Sequence, residues 1–140
     1  MSKVAIVFWS ATGNTETMAN CIAEGAGANG TLVTCAEMTP AKLAEFDVVA
    51  FGCPAMGAEQ LEESEFEPMF AALEGSLNGK KIALFGSYGW GDGEWMRDWT
   101  TRMEAAGATV LNGEGLICHE TPDEDGLSEC RELGKQLANA

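Results

Sequence analysis

A run of small and hydrogen-bonding side chains lies just after the first apolar segment of the sequence. A helical pattern begins within this run, whose residues are Ser10, Ala11, Thr12, Gly13, Asn14 and Thr15. The start of a helix presents free backbone N–H groups and the positive end of the helix dipole, so it attracts anions. Hydroxyl and amide side chains add donors, and Gly13 permits close approach of the backbone. The run predicts a phosphate site, although an ordinary N-cap cluster has the same composition.

The first loop, residues 10–15, contains no lysine or arginine. A nucleoside-triphosphate loop needs the pattern G-x-x-x-x-G-K-[ST], so the composition favours a phosphate monoester over a triphosphate. Residues 25–30 match the dinucleotide pattern G-x-G-x-x-G, but they follow a helical pattern and precede a strand-like one. Dinucleotide binding requires the opposite order, so we interpret these glycines as a turn that ends a helix.

The third loop, residues 87–93, has the composition of a platform for a planar ring. Glycines alternate around Trp90, which leaves the backbone amides of Gly89 and Gly91 free to donate to ring carbonyls. Trp90 offers a large flat face for stacking, with a core position as the alternative. Trp95 and Trp99 are spaced as neighbours on one helix face, and we expect both to pack in the core.

The second loop, residues 54–61, complements the third. Met56 supplies a polarizable side chain that can cover the opposite face of a ring, and Gly57 has a peptide that can adopt either orientation. Glu59 can accept a hydrogen bond from a ring N–H. A plain surface loop is the alternative interpretation.

Strand-like and helix-like segments alternate along the whole chain. The apolar, strand-like segments are residues 3–9, 31–35, 47–53, 81–86 and 109–117, and the helical patterns cover residues 14–25, 40–45, 63–73, 94–106 and 127–138. This alternation predicts an α/β fold with a doubly wound, five-stranded parallel sheet and helices on both faces. We expect a single domain over residues 1–140. Such sheets bind ligands beyond the carboxyl ends of their strands, where all three loops fall.

The composition excludes several classes of protein. The chain has 140 residues, with 22 acidic and 8 basic side chains and a formal net charge of −14. This charge opposes binding to nucleic acid or to an anionic membrane. The N-terminal apolar run is too short to span a bilayer and has no signal-peptide pattern, so we expect a cytoplasmic protein. The five cysteines form no C-x-x-C pair, and we expect mostly buried, reduced thiols and no metal site.

Together, the three loops resemble those of the short-chain bacterial flavodoxins. The resemblance is carried by Ser-Ala-Thr-Gly-Asn-Thr at 10–15, Pro-Ala-Met-Gly at 54–57 and Ser-Tyr-Gly-Trp-Gly-Asp-Gly at 87–93, and it spans essentially the whole chain. It implies the strand order 2-1-3-4-5 and non-covalently bound FMN. The cofactor-binding residues would be Ser10, Ala11, Thr12, Gly13, Asn14, Thr15, Pro54, Ala55, Met56, Gly57, Ala58, Glu59, Ser87, Tyr88, Gly89, Trp90, Gly91 and Asp92.

The same resemblance implies a position for each part of the flavin. The phosphate would sit on the first loop, and the isoalloxazine ring would lie between Met56 and Trp90. Glu59 would bind the N3 hydrogen, with the amides of Gly89 and Gly91 near the pyrimidine carbonyls.

The resemblance also implies that one peptide of the second loop changes orientation. The Gly57 carbonyl would turn towards N5 when the flavin takes up a proton at the semiquinone stage. Ala58 departs from the family pattern, because close relatives often carry aspartate after that glycine.

The implied function is low-potential, one-electron transfer on the semiquinone and hydroquinone couple of FMN, without a substrate-converting active site. The rim carboxylates Glu59, Glu62, Glu63, Asp92 and Glu94 would disfavour the last electron. We expect a monomer that docks transiently, through its acidic face, on larger redox enzymes. The alternatives are a flavin-dependent NAD(P)H reductase and a dedicated flavoprotein activator of a metalloenzyme. The single histidine, His119, is not expected to be catalytic or to bind metal.

Overall fold

Six parallel strands and five α-helices make up the computed structural model, which describes residues 2–11, 13–56, 60–89 and 91–140. The strands are β1 (Val4–Phe8), β2 (Gly30–Val33), β3 (Val48–Gly52), β4 (Lys81–Tyr88), β5 (Thr109–Val110) and β6 (Leu116–His119). The helices are α1 (Asn14–Ala26), α2 (Pro40–Leu43), α3 (Phe66–Leu73), α4 (Glu94–Ala105) and α5 (Glu124–Ala138). Within the described residues, no helix is long and apolar enough to cross a membrane.

The sheet has the strand order β2-β1-β3-β4-β5, and β6 also pairs with β4. The predicted order 2-1-3-4-5 is therefore confirmed, but the predicted fifth strand over residues 109–117 is interrupted. Asn112 lies in the interruption and bonds to β4 through its side chain. The Leu84 N–H donates to Asn112 Oδ1 at 3.2 Å, and Asn112 Nδ2 donates to the Leu84 carbonyl at 2.8 Å. In the segment between β5 and β6, this side-chain amide takes the place of backbone pairing with β4.

Each face of the sheet is covered by its own hydrophobic cluster. Ala5 and Val7 of β1 pack on the side of α3 and α4, whereas Val4 and Ile6 pack on the side of α1 and α5. This division follows from the alternation of side chains along a strand. Trp95 and Trp99 are each only 2 % exposed and belong to the first cluster, which confirms their predicted core positions.

Helices α1 and α5 approach each other through two glycines. A Cβ at Gly25 would lie 1.9 Å from the carbonyl oxygen of Arg131, and a Cβ at Gly134 would lie 2.0 Å from that of Ile22. Only glycine fits at such a contact. Gly27, with φ of 65°, follows the last residue of α1, and a short 3-10 turn over Gly27–Asn29 leads into β2, so the glycines of residues 25–30 end a helix as predicted.

Two helices begin at residues other than those predicted. Helix α3 begins at Phe66 instead of residue 63, because the Glu62 carboxylate accepts hydrogen bonds from the amides of Ser64, Glu65 and Phe66 at 2.7, 2.7 and 2.9 Å. Helix α5 begins earlier than predicted, since Asp123 caps it by accepting a hydrogen bond from the Gly126 N–H at 2.8 Å.

Candidate functional site

Residues from all three loops meet at the carboxyl ends of β1, β3 and β4. They line a cavity of about 250 Å³, together with one residue that follows β6: Ala11, Asn14, Pro54, Ala55, Met56, Ser87, Tyr88, Gly89 and Glu120. Two cavities of about 270 and 310 Å³ lie beside α5 and contain none of the loop residues. The topology thus brings together the predicted segments, whose positions in the sequence are far apart.

The first loop leads directly into α1. The N-cap residue of the helix is Gly13, with φ of 94°, and as a glycine it has no side chain to cap the helix. The Gly13 N–H donates to Ser10 Oγ at 3.1 Å, which shapes the loop itself. A Cβ at Gly13 would meet no described atom within 4 Å. A Cβ at this position would therefore have free space around it, and Asn14, the first residue of the helix, lines the cavity.

Thr15 lies under the site and connects two of the loops. Its side chain is 1 % exposed, and its Oγ1 accepts a hydrogen bond from the Ser87 N–H at 3.3 Å. Ser87 in turn donates from Oγ to the Glu120 carbonyl at 2.7 Å. The first loop, the third loop and the segment after β6 are consequently one connected unit.

The second loop is fixed at its base. Met56 and Gln60 exchange two backbone hydrogen bonds of 2.9 and 2.8 Å, which close the loop below its tip. The Ala55 N–H donates to the Ser87 carbonyl at 3.2 Å. Trp95 Nε1 donates to the Cys53 carbonyl at 3.0 Å, so helix α4 also holds the base of the loop.

The third loop packs against the segment after β6. The Tyr88 ring lies 5.1 Å from the His119 ring and 5.6 Å from the Trp95 ring, measured between centroids. His119 Nε2 lies 3.2 Å from the Gly89 carbonyl oxygen. The Glu120 N–H donates to the Tyr88 carbonyl at 2.7 Å. Glu120 is not among the residues predicted from the sequence; its position after the last strand of a parallel sheet is the feature that could have identified it.

The rim charges differ from those expected. Asp92 is paired with Arg97 at 2.9 Å, and Glu62 is buried against the first turn of α3. Burial alone raises the pKa of the Glu62 carboxyl, but the hydrogen bonds from the three amides outweigh it and bring the pKa below its ordinary value of 4.5. Neither residue is therefore an uncompensated surface charge, whereas Glu63 and Glu94 are exposed.

The remaining predicted residues fall into two groups. Ser10, Gly13, Thr15, Gly91 and Asp92 are described but are not lining residues of the cavity. The predictions for Thr12, Gly57, Ala58, Glu59 and Trp90 lie outside the described residues.

The thiols of Cys35 and Cys53 are poor nucleophiles. Burial raises the pKa of Cys53 to about 12 and that of Cys35 to about 11, so both are protonated at neutral pH. In the part of the chain that the structure describes, no group of His, Cys, Asp and Glu side chains could hold a metal ion.

The chain is similar to proteins of one family over almost its entire length. The family model described as "Flavodoxin" matches residues 6–134. A flavodoxin of Megasphaera elsdenii is 49 % identical over 140 residues, which cover 98 % of this chain and 99 % of that protein. A flavodoxin of Clostridium beijerinckii is 47 % identical over 137 residues, covering 96 % and 98 %.

A solved structure agrees with the sequence relatives. The solution structure of two-electron reduced Megasphaera elsdenii flavodoxin superimposes with a TM-score of 0.85 at 48 % identity, covering 98 % of this chain and 99 % of that one. The chain therefore belongs to the flavodoxin family of FMN-bound electron-transfer proteins.

Proposed function

We propose that FMN binds in the cavity between the three loops and serves there as a low-potential, one-electron carrier. In this proposal, residues 1–140 act as a single domain, and the domain has no substrate-converting active site. The observation that supports this most directly is the convergence of Asn14, Met56 and Ser87, one from each loop, on a single cavity. The residues present fit the cofactor, since they offer the N-terminus of a helix, an aromatic and a thioether side chain, and an accessible backbone at Gly89.

The phosphate end of the site works without a cation. The start of α1 and the hydroxyl groups of Ser10 and Thr15 supply donors, and the sequence adds Thr12. The absence of lysine and arginine from residues 10–15 means that the helix dipole and neutral donors offset the repulsion from a protein of net charge −14. This arrangement favours a phosphate monoester attached to a ligand that contributes its own binding surface.

The ring end combines apolar contact with backbone hydrogen bonds. Met56 and Tyr88 line the cavity, and a Cβ at Gly89 would meet no described atom within 4 Å, so the backbone is accessible there. We propose that Trp90 completes the stack, that Glu59 accepts from N3 and that the Gly57 carbonyl accepts a hydrogen bond from N5, as the family resemblance implies. When bound, FMN supplies the one-electron chemistry, and these residues orient it and exclude water.

Exposed carboxylates lower the potential of the second electron. Glu63, Glu94 and Glu120 are exposed and can act through solvent on a ligand in the cavity. At about 8–10 Å and an effective dielectric of about 40–80, one carboxylate contributes roughly 0.4–1 kcal/mol, which is about 20–40 mV for a one-electron couple. The total lowering of the potential therefore reaches the order of 100 mV only if several carboxylates act together, and salt reduces this effect.

The proposed partners are larger redox enzymes with basic surfaces. A monomer of net charge −14 would meet them in a fast, weak complex whose rate of formation falls as salt is added. The free thiols suit a reducing compartment, which supports a cytoplasmic location.

Titration of the flavin-free protein with FMN tests the proposal. We expect quenching of FMN fluorescence at one equivalent, and riboflavin, which lacks the phosphate, to bind about 100-fold more weakly because it cannot use the α1 terminus. Equal affinity for FMN and riboflavin would contradict the proposed phosphate site, and the absence of quenching by either would contradict the function.

Small inorganic oxidants test the proposed charge effect without a protein partner. We expect the reduced protein to transfer electrons to hexaammineruthenium(III), a cation, at a rate that falls with salt, and to ferricyanide, an anion, at a rate that rises with salt. The same salt dependence for both oxidants would contradict docking through an acidic face.

A further inference from the structure

Glu120 has a backbone conformation that side chains rarely adopt. Its φ is 56°, and it is the only non-glycine residue of the described chain with a positive φ. Glycine and asparagine occupy this left-handed region readily, whereas glutamate is uncommon there. Such a conformation persists where surrounding contacts hold it, and it is found disproportionately at functional sites.

Both backbone groups of Glu120 bind the third loop. Its N–H donates to the Tyr88 carbonyl at 2.7 Å, and its carbonyl accepts from Ser87 Oγ at 2.7 Å. Ser87 also donates its N–H to Thr15, so the contact extends to the first loop. Glu120 itself lines the cavity together with Ser87 and Tyr88.

The left-handed turn at Glu120 also ends the pairing of two strands. Strand β6 pairs with β4 up to His119 and Tyr88, and the same register continued by one residue would pair Glu120 with Gly89. The pairing stops before that residue, and the His119 side chain contacts the next residue of the third loop, with Nε2 at 3.2 Å from the Gly89 carbonyl oxygen. These contacts hold the backbone of residues 87–89 on the side that faces β6, while Gly89 stays accessible from the cavity.

We propose that Glu120 is a positioning residue of the FMN site, and that its left-handed backbone holds residues 87–89 in the shape that contacts the flavin ring. This inference rests on the proposed flavin site. The role belongs to the backbone conformation, and the carboxylate acts separately through its charge. The effect of the backbone conformation can be separated from the effect of the charge. This requires two substitutions that both remove the charge but differ in their tolerance of positive φ.

The test compares Glu120→Asn with Glu120→Val. Both variants lose the carboxylate, but asparagine tolerates the left-handed region and β-branched valine does not. We expect the Kd for FMN to stay within about twofold of wild type in the asparagine variant and to rise at least about tenfold in the valine variant. At saturating FMN, the valine variant should also differ from the asparagine variant in the visible circular dichroism of the flavin and in its midpoint potentials.

Thr121→Val is the matched control, because it introduces the same side chain one residue later at an exposed position without a positive φ. Its Kd should stay within about twofold of wild type. Equal Kd values and potentials in the valine and asparagine variants would overturn the inference, whereas failure of the wild-type protein to bind FMN would overturn the proposed function.

If the valine variant does not fold, Glu120→Ala and Glu120→Gly provide the same comparison. Alanine is disfavoured at positive φ and glycine is not, so the alanine variant should bind FMN at least about threefold more weakly than the glycine variant. Equal affinities in this pair would overturn the inference.

Discussion

The backbone N–H of Ser87 donates to the buried hydroxyl of Thr15 at 3.3 Å, which joins the start of α1 to the end of β4 beneath the cavity. In the proposed complex, Thr15 belongs to the phosphate end and Ser87 to the ring end. A change at either residue is therefore expected to reach both ends of the flavin.

Thr15→Val removes this hydroxyl while nearly preserving the shape of the side chain. The Ser87 N–H then loses its partner in a buried position, and the phosphate end loses one donor. We expect the Kd for FMN to rise about tenfold and the free energy of unfolding of the flavin-free protein to fall by about 1–2 kcal/mol. Flavin titration and urea denaturation measure the two effects.

Thr101→Val is the control for this change. Thr101 is exposed on α4 and donates from Oγ1 to the Arg97 carbonyl at 3.1 Å, so the variant removes a helix-surface hydroxyl away from the cavity. It should leave the Kd within about twofold of wild type. A Thr15 variant that binds FMN as tightly as this control would show that the hydroxyl does not support the site.

Arg102 joins α4 to the region of α3. Its guanidinium donates to both carboxylate oxygens of Glu67 and both of Glu74 at 2.7–2.8 Å, and it lies 4.7 Å from the centroid of the Phe70 ring. Lysine keeps the charge but lacks the planar fork. Arg102→Lys should therefore lower the free energy of unfolding by about 1–2 kcal/mol, measured by urea denaturation.

Lys42→Gln provides the comparison for Arg102. Lys42 forms an exposed pair with Glu45 at 3.4 Å, a geometry that contributes little in water. Its loss should change the free energy of unfolding by less than about 0.5 kcal/mol. If the two variants lose similar amounts of unfolding free energy, the forked geometry of Arg102 does not stabilise the fold more than an exposed ion pair does.

Glu62→Gln tests the carboxylate that caps α3. Because the pKa of Glu62 is lowered in the folded protein, its ionised form stabilises the fold fully above about pH 4.5, and this contribution is lost as the pH falls through the lower folded pKa. We expect the variant to lose about 1–2 kcal/mol at pH 7, because the amides of the first turn keep only a neutral acceptor. The difference from wild type should shrink below pH 4.5.

The neighbouring substitution Glu63→Gln, at an exposed position, is the control for Glu62. It should change the unfolding free energy by less than about 0.5 kcal/mol at either pH. If the Glu62 variant loses the same amount of unfolding free energy at pH 7 and at pH 3.5, this would contradict a role for the ionised carboxylate.

Gly134→Ala tests the contact between α1 and α5. The new Cβ would lie 2.0 Å from the Ile22 carbonyl oxygen, so the helices must separate, at a cost of about 1–3 kcal/mol. Gly75→Ala is the matched change, since a Cβ there meets nothing within 4 Å and the residue has no positive φ. It should be neutral or stabilise by up to about 1 kcal/mol. Chemical denaturation of both variants gives the comparison, and equal stabilities would contradict the tight helix contact.

The sequence predicted those parts of the fold that depend on local pattern. The alternation of apolar runs and amphipathic segments predicted the doubly wound parallel sheet, and the composition of three loops predicted which strand ends would meet. The strand order was implied by the resemblance to the flavodoxins. The break in the last strand could not be predicted, because it depends on Asn112 reaching Leu84, which lies 28 residues earlier in the chain. Glu62 was predicted to be one of the rim carboxylates, and only the folded structure shows it bound to the amides at the start of α3.

Glu120 illustrates the same limit within the site. Glutamate has no intrinsic preference for positive φ, so nothing local indicates the turn at that residue. The conformation results from the hydrogen bonds to Ser87 and Tyr88, which come from a distant strand.

Anaerobic potentiometric titration of the FMN-loaded protein tests directly whether it carries electrons one at a time at low potential. We expect two separate one-electron steps, with the second at a potential well below that of free FMN, because the acidic surface and the apolar cavity oppose the last negative charge. A single two-electron step at the potential of free FMN would contradict the account.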